Sequence, residues 1–402
     1  MVKDGHYSQF NLYGKSVIFR CDFNVPIGKK PESGEYVVMD DERITAVIPG
    51  LKELISQGAK VILMSHLGRN KEIKKAEDKK RFSLKPVADM ISGYIGAEVK
   101  LAEGIADAKK LIAQMNNGDV IMLENLRYNA GEEINSYNYA KSLASLGEVY
   151  INNAFGTAHR KHSSTYTIAQ FVERAYLGDL MVKEAEKLDT VLYSTDNPKV
   201  AILGGKKISD KLGVLKNLMA KMDAVLIGGG MANTFLKALD YQIGNSLYEP
   251  KQIKNAKAVL NNGKKLGVEI ILPVDVVIAK SNSEDAEIKI VSVDQIPEGW
   301  MILDIGPKTV KLFTQRVKKA HIIIWNGPMG VFEIPAFAQG TNGIVKAVAA
   351  NRKAFSVVGG GESVQAVKDY GKIGNINLCT GGTAALEYLE GKYLPGFEAC
   401  DG

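Results

Sequence analysis

The sequence predicts an α/β fold with two doubly wound parallel-sheet domains, joined by a long helix and with a cleft between them. The chain has 402 residues, which is more than a single hydrophobic core usually serves. Short apolar runs rich in β-branched residues alternate with segments of helical periodicity in both halves, and this alternation is typical of parallel βαβ units. Between the halves, a stretch that contains no glycine after Gly178 predicts the connecting helix.

The predicted elements follow the chain in order. In the first half we expect strands at residues 17–20, 61–64, 120–123 and 149–152, with helices at 45–57 and 84–95. In the second half we expect strands at residues 200–203, 224–227, 268–272, 322–325, 355–358 and 376–379. The pattern therefore predicts one Rossmann-like domain over residues 1–173, a connecting helix over 174–194, and a second Rossmann-like domain over 195–387.

The clearest local motif is residues 356–363, with the sequence SVVGGGES. An apolar run stops at three glycines and a helix-compatible segment follows, so backbone N–H groups at this turn can approach an anion. Four other predicted strands also end in glycine-rich turns, after Leu203, Ile227, Trp325 and Cys379. Because open α/β sheets bind nucleotides at the carboxyl ends of their strands, the five turns together predict a nucleotide-binding crevice.

The strands of the first half end in arginine, histidine and asparagine instead. The planar guanidinium group of arginine can donate two hydrogen bonds to a carboxylate or a phosphate, so these residues predict a cationic pocket for a small anion. For any one arginine taken alone, a surface ion pair or a helix cap is the commoner role, in about two cases of three. The recurrence at equivalent positions favours the pocket, whose candidate residues lie in the turns 20–24, 65–69, 124–127 and 152–162, together with Arg43.

Two lysines and an acid accompany the glycine turns of the second half. Lys207 and Lys211 share one face of the first helical turns after Gly205, where they can meet phosphate oxygens; a solvated lysine pair is the equally weighted alternative. Glu362 is the candidate carboxylate for Mg²⁺, against the alternative that it only complements a helix dipole. The chain contains neither a Walker A loop nor a dinucleotide fingerprint after a strand.

The composition excludes several classes of protein. No run of 18 apolar residues exists, and the N-terminus lacks an apolar signal core, which indicates no membrane partner and a cytoplasmic location. Three scattered cysteines, Cys21, Cys379 and Cys400, are too few for a disulfide framework or a zinc knuckle. The net charge of +6 comes without a long basic run, so we infer no nucleic-acid binding.

Taken jointly, the motifs resemble those of the phosphoglycerate kinase family along nearly the full chain. The segments that carry this resemblance are RCDFNVP (20–26), MSHLGR (64–69), SLKPVA (83–88), LENLRY (123–128), NNAFGTAHRKHSS (152–164), LGGKKISDK (203–211), GGGMANTFL (228–236), WNGPMGVFE (325–333), GGGES (359–363) and TGGTAALEYLEGK (380–392). Their length and order make the resemblance specific.

The resemblance implies reversible transfer of the 1-phosphate of 1,3-bisphosphoglycerate to Mg·ADP, giving 3-phosphoglycerate and ATP, by in-line transfer after domain closure. It implies a monomer that uses Mg²⁺, with the glycerate on the first domain, the nucleotide on the second, and the tail 388–402 packed back on the first. For the glycerate it implies Asp22, Asn24, Arg43, His66, Arg69, Arg127 and Arg160. For the nucleotide it implies Gly205, Lys207, Lys211, Gly228, Gly229, Gly306, Asn326, Glu333, Gly359, Gly360, Gly361, Glu362 and Ser363, with Glu362 as the metal ligand. For catalysis it implies Arg43, Lys207, Gly361 and Gly382.

Four positions depart from the family pattern. Glu362 stands where aspartate is usual, and its extra methylene shifts the carboxylate by about 1.5 Å, which leaves direct metal coordination open. Asn153 replaces an aspartate, Lys206 a common alanine and Thr383 a common glycine. Two rival functions stay open: a phosphate-binding module without catalysis, and a dehydrogenase on a similar sheet. The presence of both Lys207 and Arg43 argues against the first, and the missing dinucleotide fingerprint argues against the second.

Overall fold

A computed structural model describes residues 7–69, 72–73, 75–371 and 374–400. The chain divides into two compact units, one formed by Met1–Ala185 with Tyr393–Gly402 and the other by Glu186–Lys392. The boundary between the units falls inside a helix, Asp179–Tyr193. The ends of the predicted first domain and of the tail, at residues 1–6 and 401–402, lie outside the described residues.

The first unit is built on a parallel sheet flanked by helices. Its strands are β1 Ser16–Arg20, β2 Ile27–Lys29, β3 Tyr36–Val38, β4 Lys60–Met64, β5 Val99–Ala102, β6 Val120–Leu123, β7 Val149–Asn152 and β8 Arg174–Leu177. Its helices are α1 Glu42–Ser56, α2 Ala76–Arg81, α3 Lys85–Ile95, α4 Ile105–Ile112, α5 Tyr137–Ala144 and the first part of α6 Asp179–Tyr193. In the described residues the sheet order is β5-β6-β4-β1-β7-β8, and β2 and β3 form a separate antiparallel hairpin.

Both faces of this sheet are covered, as a doubly wound fold requires. Successive side chains of a strand point to opposite faces. Accordingly, Val17 and Phe19 of β1 pack into one apolar cluster, while Ile18 packs into another with Tyr150 of β7. The apolar runs that predicted these strands are therefore central strands buried on both sides.

The second unit repeats the architecture and adds a small antiparallel sheet. Its strands are β9 Lys199–Leu203, β10 Ala224–Ile227, β11 Glu269–Ile271, β12 Asp275–Ala279, β13 Ile288–Ser292, β14 Met301–Ile305, β15 Ile322–Asn326, β16 Phe355–Gly359 and β17 Ile376–Cys379. Its helices after α6 are α7 Leu212–Met219, α8 Gly229–Ala238, α9 Ile253–Leu266, α10 Pro307–Val317, α11 Gln339–Ala350, α12 Gly361–Tyr370 and α13 Thr383–Leu389. The last helix, α14 Pro395–Glu398, belongs to the first unit. Over the described part of the chain, the parallel sheet has the order β11-β10-β9-β15-β16-β17, and the antiparallel sheet has the order β13-β12-β14.

The two-unit α/β fold class is confirmed, but the helix predicted over residues 174–194 is wrong at its start. Residues Arg174–Leu177 form β8, which pairs in parallel with β7 at the edge of the sheet. The chain turns at Gly178, where an added Cβ would lie 2.4 Å from Asn153 Oδ1. That same oxygen accepts a hydrogen bond of 2.8 Å from the Leu180 amide, so Asn153 helps to satisfy the first turn of α6.

The last residues of the chain pack within the first unit. The amide of Gly396 donates to the carbonyl of Ala158 at 2.8 Å, and Asn152 Nδ2 donates to the carbonyl of Gly396 at 3.3 Å. The first unit takes up the tail from Tyr393, whereas α13 lies in the second unit. Among the described residues, no helix is both long enough and apolar enough to cross a membrane.

Candidate active site

The five glycine-rich turns of the second unit lie side by side, as the sequence predicts. They follow β10, β9, β15, β16 and β17, which are consecutive neighbours in the parallel sheet. The pairing register aligns the last residues of these strands in one row: Ile227, Leu203, Asn326, Gly359 and Cys379. One edge of the sheet therefore carries all five turns.

Two glycines at this edge are needed because neighbouring chain segments approach closely. A Cβ on Gly204 would lie 2.1 Å from the carbonyl oxygen of Pro328. A Cβ on Gly229 would lie 2.6 Å from the amide nitrogen of Gly205, and Gly229 has a φ of +64°, which side-chain-bearing residues rarely adopt. The backbone segments here approach too closely to leave space for side chains at these two positions.

Beside these turns is a cavity of about 620 Å³. Its wall combines backbone of the glycine turns, apolar side chains from β12 and β14, and three acids, Asp304, Glu333 and Glu362. Among the residues predicted for the nucleotide, those that line it are Gly205, Gly229, Glu333 and Glu362. Its size and mixed wall suit a small organic anion with an apolar portion.

Lys211 lies behind the turns rather than in the cavity wall. Its Nζ is buried and donates to the main-chain carbonyl of Asn326 at 3.1 Å and to the side-chain oxygen of the same residue. Burial lowers the pKa of Lys211 to about 8, although the negative charges of Glu362 and Asp210 oppose this shift. The amine is thus buried behind the turns, and the charge of Glu362 in the first turn of α12 favours its protonated form.

The other predicted nucleotide residues surround the same edge. Lys207 is exposed beside the cavity, and the buried hydroxyl of Ser363 accepts a hydrogen bond of 2.7 Å from the Gly327 amide, so it ties two turns together. Gly306 leaves room for Asp275, whose Cγ would lie 2.3 Å from a Cβ at that position. The remaining ones occupy the turns or the starts of α8, α12 and α13: Gly228, Asn326, Gly359, Gly360, Gly361 and Gly382.

In the first unit, the predicted substrate residues form a cationic cluster. Arg43 Nη1 donates to Asp22 Oδ2 at 2.7 Å, and Asn24 Oδ1 accepts from the Gly68 amide at 2.9 Å. The nearly buried Arg127 pairs with Glu133 at 2.9 Å through Nε and donates through Nη1 to the carbonyl of Gly68. Arg160 Nε donates to His159 Nε2 at 3.2 Å, and Arg69 is exposed.

The pKa of His66 shows how strongly positive this cluster is. Burial lowers the pKa of His66 well below 6.5, and the charges of four arginines lower it further: Arg20, Arg127, Arg160 and Arg43. Burial and the charge of Arg160 lower the pKa of His159 to about 4. Burial, and after it mainly the charges of Arg127 and Arg160, lower the pKa of His162 to about 3. The histidines are therefore neutral at pH 7, and the excess positive charge comes from arginine.

Sequence reasoning missed two structural supports of these sites. Arg20 is 1% exposed and donates through Nε to Ser164 Oγ at 2.9 Å, and the same hydroxyl donates to Glu132 Oε1 at 2.6 Å. In the second unit, Asp304 lines the cavity and accepts hydrogen bonds from the amides of Gly340 at 2.6 Å and Ile305 at 2.8 Å. Arg20 is the last residue of β1 and Asp304 lies in β14, but their partners Ser164 and Gly340 are distant from them in sequence.

The described residues contain no group of three or more histidine, cysteine, aspartate or glutamate side chains that could hold a metal ion. Glu362 is a single exposed carboxylate at the cavity wall. One carboxylate together with phosphate oxygens is a common arrangement for Mg²⁺, so the site fits a metal that arrives with a nucleotide.

Comparison with known proteins identifies relatives along the whole chain. A family model described as phosphoglycerate kinase matches residues 7–392. The phosphoglycerate kinase of Dictyoglomus turgidum is 48% identical over 389 residues, covering 96% of this chain and 95% of its own. That of Pelotomaculum thermopropionicum is 46% identical over 392 residues and covers 97% of both.

Solved structures agree with this similarity. A phosphoglycerate kinase from Coxiella burnetii has a TM-score of 0.86 at 38% identity, covering 98% of each chain. One from Pyrococcus horikoshii has a TM-score of 0.81 at 31% identity, covering 100% of this chain and 98% of the other. The similarity thus extends over both units.

Proposed function

The chain belongs to the phosphoglycerate kinase family, and on that premise we propose how its two units divide the family's reaction. The reaction is the reversible transfer of the 1-phosphate of 1,3-bisphosphoglycerate to ADP, which gives 3-phosphoglycerate and ATP. We assign the glycerate to the arginine cluster of the first unit and the nucleotide to the cavity of the second. The observation that supports this division is the contrast between a cluster of arginine charges and a glycine-lined, partly apolar cavity.

In the first unit, the arginines are proposed to hold the phosphate and carboxylate of the glycerate. Arg43, Arg127 and Arg160 offer planar forks that can bind such groups with two hydrogen bonds each. Asp22 and Asn24 are proposed to bind the hydroxyl and carboxyl end. His66 is neutral, so it serves as a hydrogen-bonding group rather than as a cation. Arg69 is exposed and completes the pocket in this proposal.

In the second unit, backbone amides of residues 359–361 and 380–382 are proposed to bind the nucleotide's phosphates, as helix N-termini do. Lys207 and Lys211 supply cations, and Glu333 is proposed to reach the ribose. Gly228, Gly229 and Gly306 are proposed to flank the adenine. Phosphoryl transfer needs in-line positioning and cations around the equatorial oxygens, so we propose that Lys207 and Arg43 neutralise the transferring group.

Mg²⁺ is proposed to enter as part of the nucleotide substrate, with Glu362 as its protein ligand. Bound there, it would neutralise charge on the phosphate oxygens. Because the acyl phosphate would hydrolyse in contact with water, the reaction also requires the two units to close around the substrates. A monomer in the cytoplasm, as the family resemblance implies, completes the proposal.

The test is ATP formation from 1,3-bisphosphoglycerate and ADP, titrated with Mg²⁺ and with Mn²⁺. We expect turnover by the wild type. We expect Glu362→Asp to change the metal concentration that gives half-maximal rate, because the shorter side chain moves the carboxylate by about 1.5 Å. The matched control is Glu333→Asp, which makes the same change at another acid of the cavity wall and should leave the metal dependence unaltered.

Two results would count against the proposal. Absence of turnover with either metal, while ADP still binds, would favour the non-catalytic binding module. Equal metal dependence in the wild type and in Glu362→Asp would remove Glu362 as the metal ligand and leave the reaction itself standing.

A further inference from the structure

Asn233 is a buried side chain in the wall of the nucleotide cavity that the proposed function does not yet use. It lies in α8, is 1% exposed and contributes to the cavity lining. Its Nδ2 donates to the main-chain carbonyl of Leu247 at 3.0 Å, and Leu247 lines the same cavity. Because only the amide nitrogen can donate to a carbonyl, this bond fixes which end of the side chain is the oxygen.

The oxygen at the other end of this amide lacks a donor. Within the described ranges of the chain, Asn233 Oδ1 is buried and has no hydrogen-bond partner. A buried acceptor without a partner costs about 1–3 kcal/mol, which is why such atoms are rare in native proteins and require an explanation. A donor on the ligand that fills the cavity would supply the missing bond.

The position of Asn233 indicates which part of a nucleotide supplies that donor. Asn233 lies four residues beyond Gly229, or about 6 Å along the axis of α8, and Gly229 is a residue proposed to flank the adenine. The neighbouring Leu247 is 54% exposed although it lines the cavity. An exposed leucine in a cavity wall suits a flat apolar group, which in a nucleotide is the base.

We propose that Asn233 Oδ1 accepts a hydrogen bond from the exocyclic amino group of adenine and so favours 6-aminopurine nucleotides. The inference rests on the proposed function and specifies the base at that site. A 6-oxopurine would place a second acceptor against the amide oxygen, and a purine with hydrogen at position 6 would leave it unpaired. Sites built to bond a polar group discriminate against analogues that lack it.

The test measures the dissociation constants of ADP, purine riboside 5′-diphosphate and inosine 5′-diphosphate for the full chain. For the wild type we expect ADP to bind about tenfold more tightly than the 6-hydrogen analogue, as one net hydrogen bond predicts. For Asn233→Leu, which keeps the shape but removes the acceptor, we expect this ratio to fall to about one. We also expect the KM for ADP to rise with kcat unchanged, as for a contact made equally in the ground and transition states.

The matched control is Asn245→Leu, the same substitution at an exposed asparagine of the cavity wall, which should keep the wild-type ratio. Binding of the 6-hydrogen analogue reports whether each variant retains its cavity. The wild-type ratio is informative even if Asn233→Leu does not fold, since equal affinity for the two nucleotides would contradict the proposal.

Deoxyribose analogues distinguish a hydrogen-bond donor on the base from one on the sugar. If 2′-deoxy-ADP or 3′-deoxy-ADP shows the affinity loss and Asn233→Leu abolishes that loss, a ribose hydroxyl is the donor and the proposal is wrong. Failure of this inference is distinct from failure of the proposed function. In the first case ADP still binds and turns over without discrimination at position 6, whereas in the second ADP does not support ATP formation.

Discussion

The two units share one architecture but form their candidate sites from different chemical groups. At the strand ends of the first unit, side chains dominate: arginines surround the neutral His66, and a buried chain of hydrogen bonds from Arg20 through Ser164 to Glu132 supports them. At the strand ends of the second unit, the backbone dominates, because side-chain-free turns approach one another within van der Waals contact. A doubly wound sheet therefore fixes where a site forms, and the residues that follow each strand decide which ligand chemistry it offers.

The difference also predicts how each site fails. A site made of charges depends on buried partners that hold each charge in place, so removing one partner leaves another charge uncompensated. A site made of backbone turns depends on the space that glycines leave between the turns, and it tolerates changes of side chains that point elsewhere. The predictions that follow test the charge-based half of this comparison, from the larger expected effect to the smaller.

The largest effect is expected from Arg20→Met. It removes the donor to Ser164 and the positive charge that favours ionised Glu132, whose pKa burial otherwise raises. Breaking such a buried network costs about 3–5 kcal/mol of stability, measurable by urea unfolding. Adding Glu132→Gln should recover part of this loss, because no buried carboxylate then remains.

The control for this prediction is Arg352→Met, which makes the same change at an exposed arginine of the second unit and should shift the unfolding midpoint little. If the losses of unfolding free energy in Arg20→Met and Glu132→Gln simply add in the double variant, the two residues are energetically independent. The interpretation that the Arg20–Ser164–Glu132 network supports the arginine cluster is then wrong.

A smaller effect is expected in the pH dependence of stability. His162 has a pKa lowered to about 3 in the folded protein, mainly by burial, against about 6.5 when unfolded. As the pH falls below 6.5, the unfolded chain gains a proton that the folded chain does not, so stability decreases. His162→Asn should therefore lose less stability than the wild type between pH 7 and pH 5, by roughly 1–2 kcal/mol after allowance for solvent screening.

The comparison between pH 7 and pH 8, where the histidine is neutral in both states, serves as the internal control. There the difference in stability between the variant and the wild type should be constant. A wild-type pH dependence in His162→Asn between pH 7 and pH 5 would show that burial and the nearby arginines do not suppress the protonation of His162.

Much of the fold could be predicted because parallel strands have a strong local pattern. The six strands predicted in the second half belong to the observed sheet, and their turns meet in one row because a parallel register aligns strand ends. Residues 174–177 were misassigned because a four-residue edge strand with an arginine resembles the start of an adjoining helix. The sequence does not predict the antiparallel strands β12–β14, two of which (β12 and β14) line the cavity, because pairing between them depends on tertiary contacts.

The candidate sites, like the fold, could be predicted from the sequence only in part. Motifs after the strands located the arginines and the glycine turns, since each motif lies in one short segment. Arg20 and Ser164 are 144 residues apart, and the missing partner of Asn233 Oδ1 is a property of packing that no local pattern encodes. Sequence predicts which residues reach the site, and the structure is needed to see which atoms there lack a partner.

The measurement that tests the division of labour most directly is calorimetric binding of 3-phosphoglycerate and of ADP to the wild type, Arg43→Ala and Lys207→Ala. Charge-assisted hydrogen bonds contribute about 1.5–3 kcal/mol each, or about 10- to 100-fold in affinity. We expect Arg43→Ala to weaken the binding of 3-phosphoglycerate by that factor and to leave the affinity for ADP unchanged. We expect Lys207→Ala to weaken the binding of ADP and to leave the affinity for 3-phosphoglycerate unchanged. Equal losses of affinity for both ligands in either variant would contradict the assignment of one substrate to each unit. So would a loss of affinity for ADP, but not for 3-phosphoglycerate, in Arg43→Ala.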